Sequence, residues 1–269
     1  MTSAPLLSVV LPVFNPDSVF FPVAVRSILN QTMPDLEVLV IEDPSSVSAA
    51  DCLKGIEDER LVLHRNSERT SMVSQLNRGL ELARAPWIAR MDGGDEALPE
   101  RFERQLAELE RTPAIDVLGT QIDVVDEHGK PAGARSFPTG HDSICRALRR
   151  YNPISHPTVV MRRSTILKAG GYRYPERAAQ DYELWCRLAV SGARFANLEE
   201  TLLRYRLHSG SIKSKRAKAT LQATTAAKRE QLWHQLSFAD RILYGLERTA
   251  EFLPEAVIRT IAQWQRYRR

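Results

Sequence analysis

The amino-acid sequence predicts an α/β fold with a mostly parallel central sheet flanked by helices and a helical extension at the C-terminal end. Short apolar runs rich in branched residues alternate with stretches of helical periodicity through the first half. Strand, helix, strand in that order calls for parallel pairing through right-handed crossovers. The composition, 43% hydrophobic and 26% charged over 269 residues, is that of an ordinary globular chain with apolar matter for one large core or two small ones.

The elements follow in order. Ser8-Val9-Val10-Leu11 reads as a buried strand ending at Pro12, and Phe21 to Leu29 as a short helix. Leu36 to Ile41 is a second strand, Val47 to Ile56 a helix and Leu61 to Leu63 a short third strand. Met72, Leu76, Leu80 and Ala83 recur at helical spacing within Ser71 to Arg84. Trp87 to Met91 is a fourth strand and Pro99 to Arg111 the next helix. Beyond them, Val117 to Val125 reads as one or two strands, Gly129 to Gly140 as a Gly/Pro-rich loop and Pro157 to Met161 as a strand. Gln180 to Ser191 has a helical apolar face, and Phe195 to Leu198 and Thr201 to Leu207 are further strands. From Lys215 the pattern is helical, with turn signals near Ser237 and at Pro254.

Bulk features exclude several classes. The three cysteines, Cys52, Cys145 and Cys186, form no Cys-x-x-Cys pair, which argues against a thiolate zinc site and a disulfide framework. The start of the chain lacks a basic signal-peptide head, and no apolar run reaches the roughly 18 residues of a membrane span. The expectation is a cytoplasmic protein, or one peripheral to the inner face of the membrane. Charge is uneven. Arg204 to Arg269 holds 14 Lys or Arg against 5 Asp or Glu, whereas the first 203 residues hold 23 against 28. A basic end on an acidic body points to an anionic contact there, with a solvated basic helix as the plainer reading.

Open parallel sheets bind ligands beyond the carboxyl ends of their strands. That rule singles out Pro12 to Pro16, Glu42 to Ser46 and Asp92 to Glu96. Asp43 can accept hydrogen bonds from a base or ribose, although an acid after a strand is more often a helix cap. In Asp92-Gly93-Gly94-Asp95 the glycines let backbone approach a ligand, and the two carboxylates suit Mg²⁺ or Mn²⁺. A plain turn explains the same residues, and the position at the same sheet edge as Asp43 favours a site. Asp181, in the first turn of its helix, is either a partner of the helix dipole or a general base. His156 and His208 are lone histidines, a pattern that is more often structural.

Taken together these segments resemble family 2 glycosyltransferases of the bacterial polysaccharide and lipopolysaccharide type. The matching stretches are Ser8 to Asn15, Ser27 to Thr32, Val40 to Ser46, Leu76 to Leu80, Ile88 to Asp92, Gly170-Gly171-Tyr172, Gln180 to Trp185 and Tyr205 to His208. They cover about residues 7 to 212, which leaves 213 to 269 as a basic helical extension. The resemblance implies the GT-A fold, with a Rossmann-like sheet, and transfer of a sugar from a nucleotide-sugar, by habit a UDP-sugar, to a glycan or lipid-linked acceptor. It implies a donor site at Pro12, Phe14, Asp43, Asn77, Arg90 and Asp92, with Asp43 on the base. It implies Asp181 as the base of an inverting reaction with an oxocarbenium-like transition state. Asp92, Asp95 and His208 are the implied ligands of Mn²⁺ or Mg²⁺.

Three departures from the family pattern stand out. Gly94 occupies the place of a metal carboxylate, Gln180 replaces an acid beside Asp181, and Asn66 to Arg69 lacks a glycine. Gly94 and Gln180 support one rival reading, a degenerate member that binds nucleotide or sugar without efficient catalysis. A dinucleotide-dependent oxidoreductase is disfavoured, because Pro12-Val13-Phe14-Asn15-Pro16 stands where Gly-x-Gly-x-x-Gly would be. A nucleic-acid module is disfavoured by the acidic body, so no nucleic-acid partner is expected. At the basic end, Trp233, Phe238, Trp264 and Tyr267 are interleaved with Lys and Arg. That reads either as a helical cap or as a peripheral membrane contact.

Overall fold

The computed structural model describes residues 4–174, 178–207 and 217–260. Its first half alternates as the periodicity predicts: β1 (Leu7–Val13), α1 (Phe20–Leu29), β2 (Leu36–Glu42), α2 (Ala49–Cys52), β3 (Leu61–Arg65), α3 (Met72–Leu82) and β4 (Trp87–Arg90). β1 pairs in parallel with β2 and β4, and β2 with β3. β1 and β2 are buried along their whole length, as central strands covered on both faces must be. Pro12 does not end β1. The Val10 carbonyl faces β4, accepting from Met91 N, so the Pro12 nitrogen faces the same side, past the end of β4. Its missing N–H therefore breaks no ladder bond.

The second half runs β5 (Glu96–Ala97), α4 (Arg101–Arg111), β6 (Val117–Val125), β7 (Pro131–Arg135), α5 (His141–Leu148), β8 (Val160–Arg162), α6 (Arg163–Lys168), α7 (Gln180–Val190) and β9 (Phe195–Arg206). Sheet order is β3-β2-β1-β4-β8-β6-β9-β5, with β7 paired to β6. Parallel pairing holds across the first four strands. From β8, which runs antiparallel to both β4 and β6, the sheet is mixed. Within the expected loop, Pro131 to Arg135 forms an exposed edge strand, where Pro and Gly are tolerated. The two strands expected within 195–207 are one, with its irregularity taken up as register shifts against Gly119 to Ile122. The helix expected over Val47 to Ile56 is only the single turn α2, and His156–Thr158 is a 3-10 turn ahead of β8.

Alternation along the strands builds two apolar layers. Val9, Leu11, Val38 and Val40 pack with Phe21, Val25, Ile28 and Phe102 on one face. Val10, Leu39 and Ile41 pack with Leu76, Leu80, Tyr182 and Trp185 on the other. Gly79 lets α3 lie against β1, since a Cβ there would sit 2.3 Å from Val10 Cγ1. α8 (Ala217–Ala227) leads through a wider turn at Lys228–Leu232 to α9 (Phe238–Ala250). Ala227, Leu232 and Leu236 join the same apolar cluster as Trp185.

Candidate active site

The carboxyl ends of β1, β2 and β4 deliver their following residues to one edge. Gln75 of α3 ties two of them together, its amide donating to Val13 O at 2.7 Å and Ile41 O at 3.0 Å. The β1–α1 loop is tied to the β2–α2 loop as well, through Asn15 N to Ser45 Oγ and Ser46 Oγ to Asn15 Oδ1. Asn15 holds φ 52°, a left-handed conformation that asparagine tolerates.

Asp43 is 2% exposed and multiply bonded. Its carboxylate accepts Asn66 Nδ2 at 2.7 Å, Thr70 N at 2.8 Å and Thr70 Oγ1 at 2.9 Å. It fixes the loop that follows β3, and that loop carries Arg69. The Arg69 guanidinium stands 4.1 Å over the ring of Phe14, which is 45% exposed, while Pro12 is buried beneath. The guanidinium over the ring is a cation–π pair at the sheet edge. Asn66 and Thr70 were not singled out in the sequence as site residues, although the strand-end rule applied to β3 reaches Asn66.

Arg90 is buried at the end of β4 and grips Asp92 with both arms, Nη1 to Oδ2 at 2.8 Å and Nη2 to Oδ1 at 2.5 Å. Burial alone would lower the Arg90 pKa, but Asp92 outweighs it and holds the guanidinium firmly charged. Asp95 lies elsewhere. It is 3% exposed, and its Oδ1 accepts Arg206 N at 3.0 Å. Arg206 also donates from Nε to Gly94 O and lies 3.9 Å over the Phe20 ring. Beneath the loop Arg101 is fully buried and donates to Arg90 O at 3.3 Å. Burial pulls its pKa down to about 9, with Asp95 opposing the shift and Arg90 adding to it. Three guanidinium groups thus underlie one Asp-Gly-Gly-Asp turn. None of them shows in any local periodicity.

Those contacts bear on a metal. Asp92 is partly exposed but has Arg90 on both oxygens, and Asp95 is turned inward. Among the described residues no cluster of three His, Cys, Asp or Glu could hold a metal ion. Of the two carboxylates, Asp92 is the one that reaches solvent. His208, expected at that site, lies outside the described residues.

Asp181 opens α7 and accepts Asn152 Nδ2 at 2.8 Å through Oδ2. Its neighbour Gln180 donates to Met72 Sδ, which also receives Arg90 Nη2, so the α7 start and the β4 end meet across one thioether. Tyr172 stands between them. Burial raises its pKa strongly, with Arg90 opposing and Asp181 adding to the rise. Tyr172 Oη meets His156 Nε2 at 2.8 Å, and both are buried, a structural role for that histidine. Asn77 lines a surface pocket with Asn66 and Thr70, the partners of Asp43. Its amide brackets the Tyr172 backbone, accepting Tyr172 N at 2.8 Å and donating to Tyr172 O at 2.9 Å. Asn77 therefore positions the Gly170-Gly171-Tyr172 turn. Asn152 and Met72 gave no signal as site residues, because each is brought in by tertiary folding alone.

The sequence model of "Glycosyl transferase family 2" matches residues 8–170, from β1 to the turn before Tyr172. The chain belongs to that family. It is 32% identical over 231 residues to the amylovoran biosynthesis glycosyltransferase AmsE of Erwinia amylovora, covering 83% of this chain and 85% of AmsE. It is 30% identical over 236 residues to the O-antigen biosynthesis glycosyltransferase WbnJ of Escherichia coli, covering 84% and 89%. Among solved structures, S. aureus TarS 1–349 in complex with UDP-GlcNAc superposes with a TM-score of 0.66 at 16% identity, covering 94% of this chain and 69% of that one. This family 2 glycosyltransferase thus has the GT-A fold, and the matched region contains Phe14, Asp43, Arg90 and Asp92 but not Asp181.

Proposed function

We propose that the chain moves a sugar from a UDP-sugar to a hydroxyl of a glycan or lipid-linked sugar, with inversion, in the biosynthesis of a cell-surface polysaccharide. The observation that carries this reading is the meeting of the Phe14–Arg69 pair, Asp43 and the Arg90–Asp92 pair at one edge, with Asp181 approaching from α7. The UDP-GlcNAc held by TarS and the polysaccharides named for AmsE and WbnJ support the donor and acceptor classes. In this reading the base stacks at Phe14 and Arg69, and Arg90 sets Asp92 beside the ribose and diphosphate. Asn152 holds one oxygen of Asp181 and leaves the other to take the acceptor proton. The acceptor oxygen then bonds to the anomeric carbon from the side opposite the diphosphate, which departs with the electron pair of the broken C–O bond. Charge compensation at the loop comes from guanidinium groups, so dependence on Mn²⁺ or Mg²⁺ is weak.

Asp181→Asn tests the assignment. It is expected to lower kcat about 10³-fold while leaving donor affinity unchanged, the behaviour of a lost general base. Product anomer analysis by NMR reads the stereochemistry. If the purified chain turns over no donor, and Asp181→Asn alters nothing, a binding protein without transferase activity is the correct reading, one that the inward-turned Asp95 favours.

A further inference from the structure

Helix α9 is amphipathic in the wrong sense for a helix packed on a protein core. Its acids face inward: Asp240 is buried against Arg150 at 3.3 Å, and Glu247 receives the buried Lys228 at 2.6 Å. Glu251, just past the helix, is buried against Thr225 and Arg248. Its large apolar residues face outward. Phe238 is 82% exposed, Ile242 52% and Leu246 61%, spaced to form one stripe, and Phe252 beyond them is 84% exposed. A contiguous apolar surface of this kind on a folded protein marks a contact site.

Charge identifies what covers it. From 237 to 260 the acids are Asp240, Glu247, Glu251 and Glu255, and each is bonded to another part of the fold. The exposed charges of the same stretch are Arg241, Arg248 and Arg259. The outer face is therefore apolar and cationic with no exposed acid. A second copy docked symmetrically on it would bring two cationic faces together with no exposed acid of this stretch to pair them. A bilayer surface with anionic headgroups answers both properties, taking the apolar stripe into the acyl boundary and the arginines at the phosphates. Repulsion of the acidic body would orient the molecule with α9 down.

We propose that the outward face of α9 is a docking surface for an anionic lipid bilayer. The test is flotation of the full chain with phosphatidylcholine vesicles, with and without phosphatidylglycerol. Two double variants are compared, Phe238→Ser with Leu246→Ser and Arg241→Gln with Arg259→Gln. All four residues are exposed, so melting temperature and the donor-induced melting shift should match the parent. Binding is expected to require phosphatidylglycerol and to weaken with salt, and each double variant is expected to lose about tenfold or more in vesicle affinity. The proposal is overturned if the full chain does not float with anionic vesicles, or if both double variants bind as well as the parent. It is equally overturned if sedimentation shows a dimer that Phe238→Ser with Leu246→Ser dissolves. Because the melting shift is read separately, failure here leaves the donor assignment standing.

Discussion

Asp43 organises the carboxyl edge of the sheet by organising its own neighbours. One carboxylate satisfies Asn66, the Thr70 N–H and the Thr70 hydroxyl, and so holds Arg69 over Phe14. Asp43→Ala removes the acceptor that these part-buried donors share. It is expected to cost about 1–2 kcal/mol in denaturant unfolding and to abolish the melting shift caused by UDP. An acid after β2 was legible from the strand-end rule, but its partners were not, because they arrive from 23 and 27 residues away. Gly94 makes the opposite case. It is not among the glycines with positive φ, so its backbone admits a side chain. Gly94→Asp restores the carboxylate that the family pattern has at this position. It is expected to tighten Mn²⁺ binding about tenfold by paramagnetic resonance, since affinity for a hard cation rises with ligand charge. In the parent chain, chelator treatment is expected to leave the UDP-sugar melting shift in place.

At the level of elements, the strands that read most clearly are those buried on both faces. β1 and β2 are mostly apolar, broken by Ser8 in one and by Glu37 and Glu42 in the other, because neither face meets water. β7 was invisible because an exposed edge strand needs no apolar side chains. The joins between elements are polar and equally silent in periodicity. Glu37 of β2 is one of them, buried, receiving Ser8 Oγ at 2.6 Å, Arg84 N at 2.9 Å and Arg84 Nε at 2.7 Å. Burial works to raise its pKa, but the Ser8 and Arg84 donors prevail and hold it below 4.5. A depressed carboxylate contributes stability that is complete above 4.5 and is lost as pH falls through the folded value. Glu37→Gln is therefore expected to cost about 2 kcal/mol at pH 7, with the gap to the parent closing in more acidic buffers. Unfolding midpoints measured across pH check it.

For the whole molecule, the charge asymmetry was plain in the sequence, whereas the way the C-terminal helices attach was not. Ala227, Leu232 and Leu236 pack into the cluster around Trp185, and the buried Lys228 donates to Arg150 O. These helices cover part of the core that carries α7, so they are not a removable appendage. A chain ending at 212 would expose that cluster and strand Asp240's partners Arg149 and Arg150. Calorimetry is expected to show a melting temperature lower by about 10 °C or more, in line with the loss of several buried apolar side chains. A truncation that melted like the full chain would show the two parts to be independent.

The contrast between Asp43 and its neighbours divides this edge of the sheet into fixed and free positions. Asp43 and Gln75 are bound to backbone and loop on several sides, so neither can change without disturbing the architecture. Phe14 is 45% exposed and Arg69 is exposed, and they touch each other where the proposed function places the base. Divergence in nucleotide choice has an inexpensive route through those two side chains. A combinatorial library at 14 and 69, selected for a different nucleotide, would explore donor preference with the sheet beneath it left intact.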